Sequence, residues 1–294
     1  MFAFMTGSTS AGDRQFGFTD AELVAHPTVF ASELFRGKVV LVSGGGSGIG
    51  KAIAVLFARL GAHLVLCGRK PEKLEAAVAL LRGLGSDVDA MAMSIREPDD
   101  VESVMEHAWS RHGRLDVLVN NAGGQFAQPA IDFTVKGWKA VIDTNLNGTW
   151  YMMQAAARRW RDRGQAGNIV NITATIERGL PHMAHSTAAR AGVIYLSKTV
   201  AVEWAPLGIR VNCLGVGAVE SSGFAQYSEE GRKTFYESNP MRRPGDVWDV
   251  VEGCVYLSGP SGKFITGEVL TIDGGQQMWG DFWSAGRPDY FKLG

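Results

Sequence analysis

A glycine-rich turn between two apolar segments has the residue types and spacing that bind phosphate. The run Val39–Val42 ends at Ser43, glycines follow at positions 44, 45, 46, 48 and 50, and residues 51–60 are rich in alanine and leucine. Glycines lack a Cβ, so the backbone can approach phosphate oxygens, and the N-terminus of the following helix supplies N–H donors. The turn predicts a nucleotide pyrophosphate site, although such turns also occur for geometric reasons alone. The expected contacts are Ser43, Gly44, Ser47, Gly48, Ile49 and Gly50.

A second group of polar residues, Asn120-Asn121-Ala122-Gly123, ends a later apolar run. Amide side chains at the end of a strand can hold the strand, a helix and a ligand in register through hydrogen bonds. Taken alone, this group could also be an ordinary turn.

Strand and helix patterns alternate along the rest of the chain. Strands are predicted at 62–67, 88–94, 115–120, 168–173, 209–214 and 268–272, and helices at 71–84, 98–112, 136–161, 186–204 and 247–257. Such alternation indicates a parallel sheet covered by helices. We therefore predict an α/β fold, a doubly wound parallel sheet of about seven strands, with ligands bound at the C-terminal ends of the strands.

No linker or repeat divides this pattern, so a single domain is expected over residues 37–275. Residues 1–36 are interpreted as an N-terminal surface arm. Residues 217–240 carry aromatic side chains among polar ones and are either a substrate lid or an ordinary pair of surface helices. The tail 276–294 is rich in aromatic residues, and we expect it to dock on this subunit or on a neighbour.

The composition excludes several classes of protein. A formal net charge of −1 and the lack of Lys/Arg runs argue against nucleic-acid binding, and no stretch approaches ~18 consecutive apolar residues, as a membrane span would need. Cys67, Cys213 and Cys254 match no metal-binding spacing. They are predicted to be buried reduced thiols, which fits a reducing compartment, and we expect a cytoplasmic protein without a metal site.

The motifs together resemble the short-chain dehydrogenase/reductase family. The resemblance covers about residues 36–275 and rests on the glycine turn, on Asn120-Asn121-Ala122-Gly123, on Ile209-Arg210-Val211-Asn212 and on Asp273-Gly274-Gly275. It implies a Rossmann-type fold that binds NAD(H) or NADP(H), and a homotetramer or homodimer built through the long helices. It also implies cofactor contacts at Asn121, Ala122, Gly123 and Gly217.

The residues after the second strand bear on the choice of cofactor. Family members that prefer NAD carry an acidic residue there, whereas this chain has Arg69 and Lys70. A guanidinium can clamp a 2′-phosphate, so NADP(H) is favoured, with NAD(H) as the alternative if both cations are merely solvated. Ser94, followed by Ile95, stands where many members place an Asp near the adenine.

The catalytic positions depart from the family pattern. The family Tyr, which acts as acid or base on the substrate oxygen, corresponds to Ser186, and the Lys four residues later corresponds to Arg190. The usual catalytic Ser corresponds to Thr173. An alcohol is a much weaker acid than a phenol, so Ser186 is poorly suited to alcohol oxidation. Arg190 can hold the ribose but cannot give up its proton.

Reduction of a conjugated C=C bond tolerates the loss of the Tyr, because it mainly requires donors that stabilise an enolate. The candidate donors are Asn145, Asn147, Thr173 and Ser186. The segments around residues 123–126, 171–175 and 185–193 resemble peroxisomal trans-2-enoyl-CoA and 2,4-dienoyl-CoA reductases, which also lack the Tyr. By the same resemblance, Asn147 of this chain corresponds to an active-site Asn of the mitochondrial-type dienoyl reductases. Those enzymes carry a replacement Tyr shortly after the fifth strand, where this chain has Thr175 or Ile176.

Two other functions remain open at this stage. The chain could oxidise alcohols or reduce ketones, with His185 or an ordered water in place of the Tyr. It could also be a weakly active dinucleotide-binding protein, because it lacks the Tyr and has Val216 where the family usually has Pro. The leading prediction is an oxidoreductase with a small-molecule substrate, an enoyl- or dienoyl-CoA thioester.

Overall fold

The structure, a computed structural model, describes residues 16–227 and 229–278, and a seven-stranded parallel sheet forms its centre. The strands of this sheet are β1 (Val39–Ser43), β2 (His63–Gly68), β3 (Val88–Ala92), β4 (Val117–Asn120), β5 (Gly167–Ala174), β6 (Ile209–Val216) and β9 (Val269–Ile272). Two short strands, β7 (Val219–Glu220) and β8 (Gly245–Asp246), pair with each other outside it. The predicted α/β fold and strand number are confirmed.

Helices connect the strands on both faces of the sheet. They are α1 (Asp20–Ala25), α2 (Gly48–Arg59), α3 (Pro71–Gly83), α4 (Pro98–His112), α5 (Val135–Ile142), α6 (Gly148–Arg163), α7 (Ala184–Trp204), α8 (Glu229–Thr234) and α9 (Val247–Ser258). Local residue types fix several of their starts. Pro71 and Pro98 open α3 and α4, and the carboxylate of Asp246 accepts the N–H groups of Trp248 and Asp249 at the start of α9.

The strand order β3-β2-β1-β4-β5-β6-β9 reverses direction between β1 and β4. Ligands of open parallel sheets bind in the crevice at such a reversal, outside the C-terminal ends of the strands. Strand β1 is buried along its whole length, with Val40 and Val42 in one core cluster and Val39 and Leu41 in the other. Its alternating residues therefore pack against the helices on both faces of the sheet. The glycine turn follows the C-terminal end of this strand and so lies at the crevice.

The predicted helix at 136–161 is interrupted. Helix α5 ends at Ile142, a π-helical turn spans Asp143–Asn147, and α6 starts at Gly148. A π-turn adds one residue to a helical turn and shifts the following side chains around the axis, and such turns occur often at functional sites. Hydrophobic periodicity does not reveal this shift.

The described part of the N-terminal arm packs into the domain, since Leu23 and Phe35 are buried in the core. Cys67, Cys213 and Cys254 are buried and unpaired, as predicted. Over residues 16–227 and 229–278, no helix is long and apolar enough to cross a membrane. Most of the aromatic tail, from Trp279 onward, lies outside the described residues.

Candidate active site

The backbone of the glycine turn packs closely on itself. Gly44 has a φ of +68°, and a Cβ on Gly50 would lie 2.3 Å from the carbonyl oxygen of Gly44. Ser47 precedes the first residue of α2 in an extended conformation, and its side chain makes no capping hydrogen bond. The helix N-terminus and the Ser47 hydroxyl are thus available to a phosphate group.

Ser43 supports this turn from below. Its hydroxyl accepts hydrogen bonds from the backbone N–H groups of Asn121 (3.1 Å) and Ala122 (3.0 Å), and the Asn121 amide donates to the Ser43 carbonyl oxygen at 3.0 Å. These bonds join the loops after β1 and β4. Ser43 is fully buried, so it positions the two loops and does not line the crevice itself.

A cleft of about 390 Å³ opens above the turn. It is lined by most of the predicted cofactor contacts, namely Gly44, Ser47, Gly48, Ile49, Arg69, Lys70, Ser94, Ile95, Asn121, Ala122 and Gly123. Gly50 lies behind this surface in the first turn of α2. Gly217 is not among the residues that line the cleft, and a Cβ on it would lie 2.8 Å from the Cα of Asp273.

Four cations line the cleft, and sequence reasoning missed two of them. The two are Lys73 and Arg96. Lys73 lies in the first turn of α3, just after Arg69 and Lys70, and Arg96 directly follows Ser94 and Ile95. The described lining residues contain no carboxylate. The helical spacing from Lys70 was the available signal for Lys73. The position of Arg96 depends on the loop after β3, which sequence patterns do not specify.

Arg190 lies at the end of the cleft, beside Gly123. Its Nη1 donates to the carbonyl oxygen of Ile172 at 2.6 Å, and a Cβ on Gly123 would be 2.6 Å from Nη2. Burial lowers the pKa of Arg190 to about 10, so the guanidinium remains charged at neutral pH. Its buried Nε has no protein partner among the described residues. The position therefore fits a cation that contacts a ribose.

The π-turn directs Asn145 at the loop that follows β4. The Asn145 amide donates to the carbonyl oxygen of Gly124, and its oxygen accepts from the Gly124 N–H, both at 2.9 Å. Asn147 is not part of this arrangement, because its amide donates to Asp143 at 2.8 Å. The structure thus brings Asn145 to the site, and places Asn147 with another partner.

The hydroxyl groups at the two predicted catalytic positions both donate within the protein. Ser186 donates to Oε1 of Gln125 at 2.8 Å, and Thr173 donates to the carbonyl oxygen of Leu214 at 2.8 Å. Gln125 was not predicted as a site residue. It stands two residues after Gly123, inside a motif that already pointed to the site, but nothing in the sequence pairs it with Ser186.

Gln125 also connects the site to the segment above it. Its Nε2 donates to the phenol oxygen of Tyr227 at 3.1 Å. Phe224 and Phe235 pack edge-on or tilted against each other and against the Tyr227 ring. Ser221, Ser222 and Gly223, a few residues earlier, line the cleft above the glycine turn.

His185 is buried beside Ser186 and forms part of an aromatic wall. Its ring centroid lies 4.6 Å from that of Phe126 and 4.3 Å from that of Phe133, and its Nδ1 accepts the Ser186 N–H at 2.7 Å. Burial lowers the pKa of His185, so the imidazole is neutral at pH 7. Over the described ranges, no cluster of His, Cys, Asp or Glu could hold a metal ion.

Comparisons with known proteins agree with this geometry. The family model described as enoyl-(acyl carrier protein) reductase matches residues 44–277. The chain is 39% identical to a probable 2,4-dienoyl-CoA reductase of Bacillus subtilis (82% of this chain, 97% of the relative), and 36% identical to a mouse peroxisomal 2,4-dienoyl-CoA reductase (85% and 87%). It superposes on a citronellol catabolism dehydrogenase of Pseudomonas aeruginosa with a TM-score of 0.76 at 35% identity (85% and 99%). The chain therefore belongs to the short-chain dehydrogenase/reductase family, whose members are NAD(P)-dependent oxidoreductases.

Proposed function

We propose that this enzyme reduces the conjugated C=C bond of an enoyl- or dienoyl-CoA thioester with NADPH. The observation that carries the proposal is Ser186 at the position of the family Tyr, with its hydroxyl hydrogen already donated to Gln125. A ketone must receive a proton on the oxygen next to the carbon that accepts hydride, and Ser186 is a poor acid for that task. In a conjugated thioester the negative charge moves away from that carbon, so the missing acid matters less.

The residues of the site divide into binding and positioning roles. When bound, the reduced dinucleotide supplies the hydride. Arg190 would hold its ribose, while the α2 N-terminus and Ser47 would hold the pyrophosphate. Asn145 keeps the Gly124 loop in place, and thereby positions Gln125. His185, neutral and packed against the rings of Phe126 and Phe133, is assigned to the wall of the substrate site.

Similarity to the two dienoyl-CoA reductases supports an acyl-CoA substrate. The similarity to a citronellol catabolism dehydrogenase supports the alternative, alcohol or carbonyl chemistry on a hydrophobic substrate. The test is NADPH consumption with crotonyl-CoA, a longer trans-2-enoyl-CoA, a 2,4-dienoyl-CoA, and a set of ketones and aldehydes. We expect turnover of the conjugated thioesters; turnover of carbonyl compounds alone would contradict the proposal.

The preference for NADPH rests on the four cations and the lack of a carboxylate among the described residues of the cleft. Arg69 and Lys70 are exposed at the end of β2, where they can approach a 2′-phosphate without a desolvation penalty on a buried charge. Arg96 and Lys73 add to the positive potential of the same cleft. NAD(H), which lacks that phosphate, would gain little from these residues.

Replacing Arg69 with Asp should raise the dissociation constant for NADPH by about 10- to 100-fold, because a charge-assisted hydrogen bond contributes roughly 1.5–3 kcal/mol and the carboxylate repels the phosphate. The affinity for NADH should change much less. Fluorescence titration with both cofactors measures the effect. Lys263→Asp, the same charge change at an exposed position outside the cleft, is the control. Equal losses for NADPH and NADH would count against a 2′-phosphate contact.

We also propose that the enzyme is a homo-oligomer that associates through its long helices. Tyr195 is 69% exposed and Val202 is 78% exposed, and both lie on α7. Apolar side chains at this spacing form one stripe on a helix and would be covered by a second copy of the chain.

A further inference from the structure

We propose that Tyr227, which follows the cleft-lining residues Ser221–Gly223, is the catalytic proton donor of this enzyme. The proposal rests on the proposed reductase function and adds to it the acid that the catalytic helix lacks. It starts from a continuous chain of hydrogen bonds: Ser186 Oγ donates to Gln125 Oε1 at 2.8 Å, and Gln125 Nε2 donates to Tyr227 Oη at 3.1 Å.

The direction of these bonds leaves the phenol hydrogen free to be donated. Ser186 occupies the acceptor end of the Gln125 amide, so the amide can only present its N–H groups to Tyr227. The phenol oxygen accepts one of them, and its own O–H has no partner among the described residues. Ser186 and Gln125 are thus positioning residues, and Tyr227 is the end of the chain that can contact substrate.

The surroundings of Tyr227 hold the ring in place. Phe235 packs against it at right angles with centroids 5.2 Å apart, Phe224 does so at 6.3 Å, and Arg232 donates to the Tyr227 carbonyl oxygen. The N-terminal arm secures the same segment, because Phe16 packs on Phe224 at 6.4 Å and the Gly17 N–H donates to Glu220. A phenol whose ring is held in this way is suited to proton transfer, which requires hydrogen-bond geometry, and Ser221, Ser222 and Gly223 of the same segment line the cleft.

Other phenols and imidazoles near the site are less suitable. Tyr195 and Tyr236 are exposed, and Tyr151 packs against the core under α6. His185 is neutral and enclosed by Phe126 and Phe133. Within the described ranges, Tyr227 is the phenol that is hydrogen-bonded to the Gln125 amide, which in turn accepts the hydrogen bond of Ser186.

The proton-transfer step balances as follows. Hydride adds to the β- or δ-carbon of the substrate, and the electron pair of the double bond moves to the thioester oxygen as an enolate. The enolate electrons then form a C–H bond at the α-carbon with the Tyr227 hydrogen, the O–H bond breaks, and the phenolate regains a proton from water. In a dienoyl thioester the δ-carbon that receives hydride and the α-carbon that receives the proton are three bonds apart, so a donor displaced from Ser186 by one amide side chain fits this step.

The test is Tyr227→Phe, which removes a single oxygen atom and keeps the ring packing. We expect kcat on the preferred acceptor to fall by at least about 100-fold, within the range that general acid catalysis contributes. The KM and the NADPH dissociation constant, measured by fluorescence without substrate, should stay within about twofold. Tyr236→Phe, the same change at a 49% exposed position of the same segment, should leave all three values unchanged.

The outcomes separate the two proposals. If wild type reduces conjugated thioesters and Tyr227→Phe retains full kcat, the role of Tyr227 is wrong and the reductase function stands. If wild type reduces only carbonyl compounds and Tyr227→Phe loses that activity, the proton donor stands and the thioester substrate is wrong. A parallel loss of NADPH binding in Tyr227→Phe would show a structural role and overturn the assignment. A wild type that reduces no acceptor overturns both.

Discussion

Gly50→Ala is expected to abolish dinucleotide binding. The added methyl group would lie 2.3 Å from the Gly44 carbonyl oxygen and 2.4 Å from the Asn121 side-chain nitrogen, closer than non-bonded atoms pack. Gly44 is held by its own turn, and Asn121 by hydrogen bonds to Ser43 and Gly44, so neither can yield without moving the phosphate-binding backbone. We expect the NADPH dissociation constant to rise by at least about 100-fold.

The same substitution should lower stability, because overpacking of this kind costs roughly 1–3 kcal/mol. Thermal unfolding would then show a melting temperature lower by several degrees. Gly83→Ala is the matched control: it adds the same methyl group at the end of α3, where nothing lies within 4 Å. Wild-type NADPH affinity in Gly50→Ala would contradict the assignment of this turn to the pyrophosphate.

Arg190→Met is expected to reduce kcat/KM by about 100-fold or more. The change keeps most of the side-chain volume but removes the charged donor to the Ile172 carbonyl oxygen and the group that faces the Gly123 loop. Each hydrogen bond from a charged group contributes roughly 1.5–3 kcal/mol, and the buried carbonyl would lose its partner. Steady-state kinetics measure the loss of turnover, and NADPH titration measures the loss of cofactor affinity.

Arg190→Lys should recover part of the activity, because the family places a Lys at this position and a primary ammonium retains the charge. Arg158→Met, the same substitution at an exposed position on α6, is the control and should behave as wild type. An Arg190→Met variant with unchanged cofactor affinity and turnover would show that the guanidinium has only a packing role.

The fold could be predicted from the sequence because its signals are local. Each strand of the sheet is a short apolar run, each but the last is followed by a helical pattern, and parallel pairing follows from that alternation. The glycine turn was predictable for the same reason, since its whole geometry lies within residues 43–50. The cleft is formed by loops that follow several strands, and the sequence had predicted ligand contacts in those loops.

The interior of the catalytic site was less predictable because it depends on contacts between distant residues. Gln125 and Tyr227 are separated by 102 positions, and only the folded chain places their polar atoms within hydrogen-bond distance. The resemblance singled out Asn147, but the π-turn directs Asn145 to Gly124 and leaves Asn147 with Asp143. Ser186 and Thr173 were predicted as donors to an enolate oxygen, whereas in the structure their hydroxyl groups donate to Gln125 and to the Leu214 carbonyl oxygen.

The central claim, hydride transfer to carbon in a conjugated C=C bond, can be tested by locating the transferred hydrogen. The enzyme would be incubated with a 2,4-dienoyl-CoA and NADPH deuterated at both C4 positions, and the product examined by NMR and mass spectrometry. We predict one deuterium on a carbon of the former conjugated system, with the thioester intact. Deuterium on a newly formed carbinol carbon, or its appearance only in products of ketone substrates, would contradict the account.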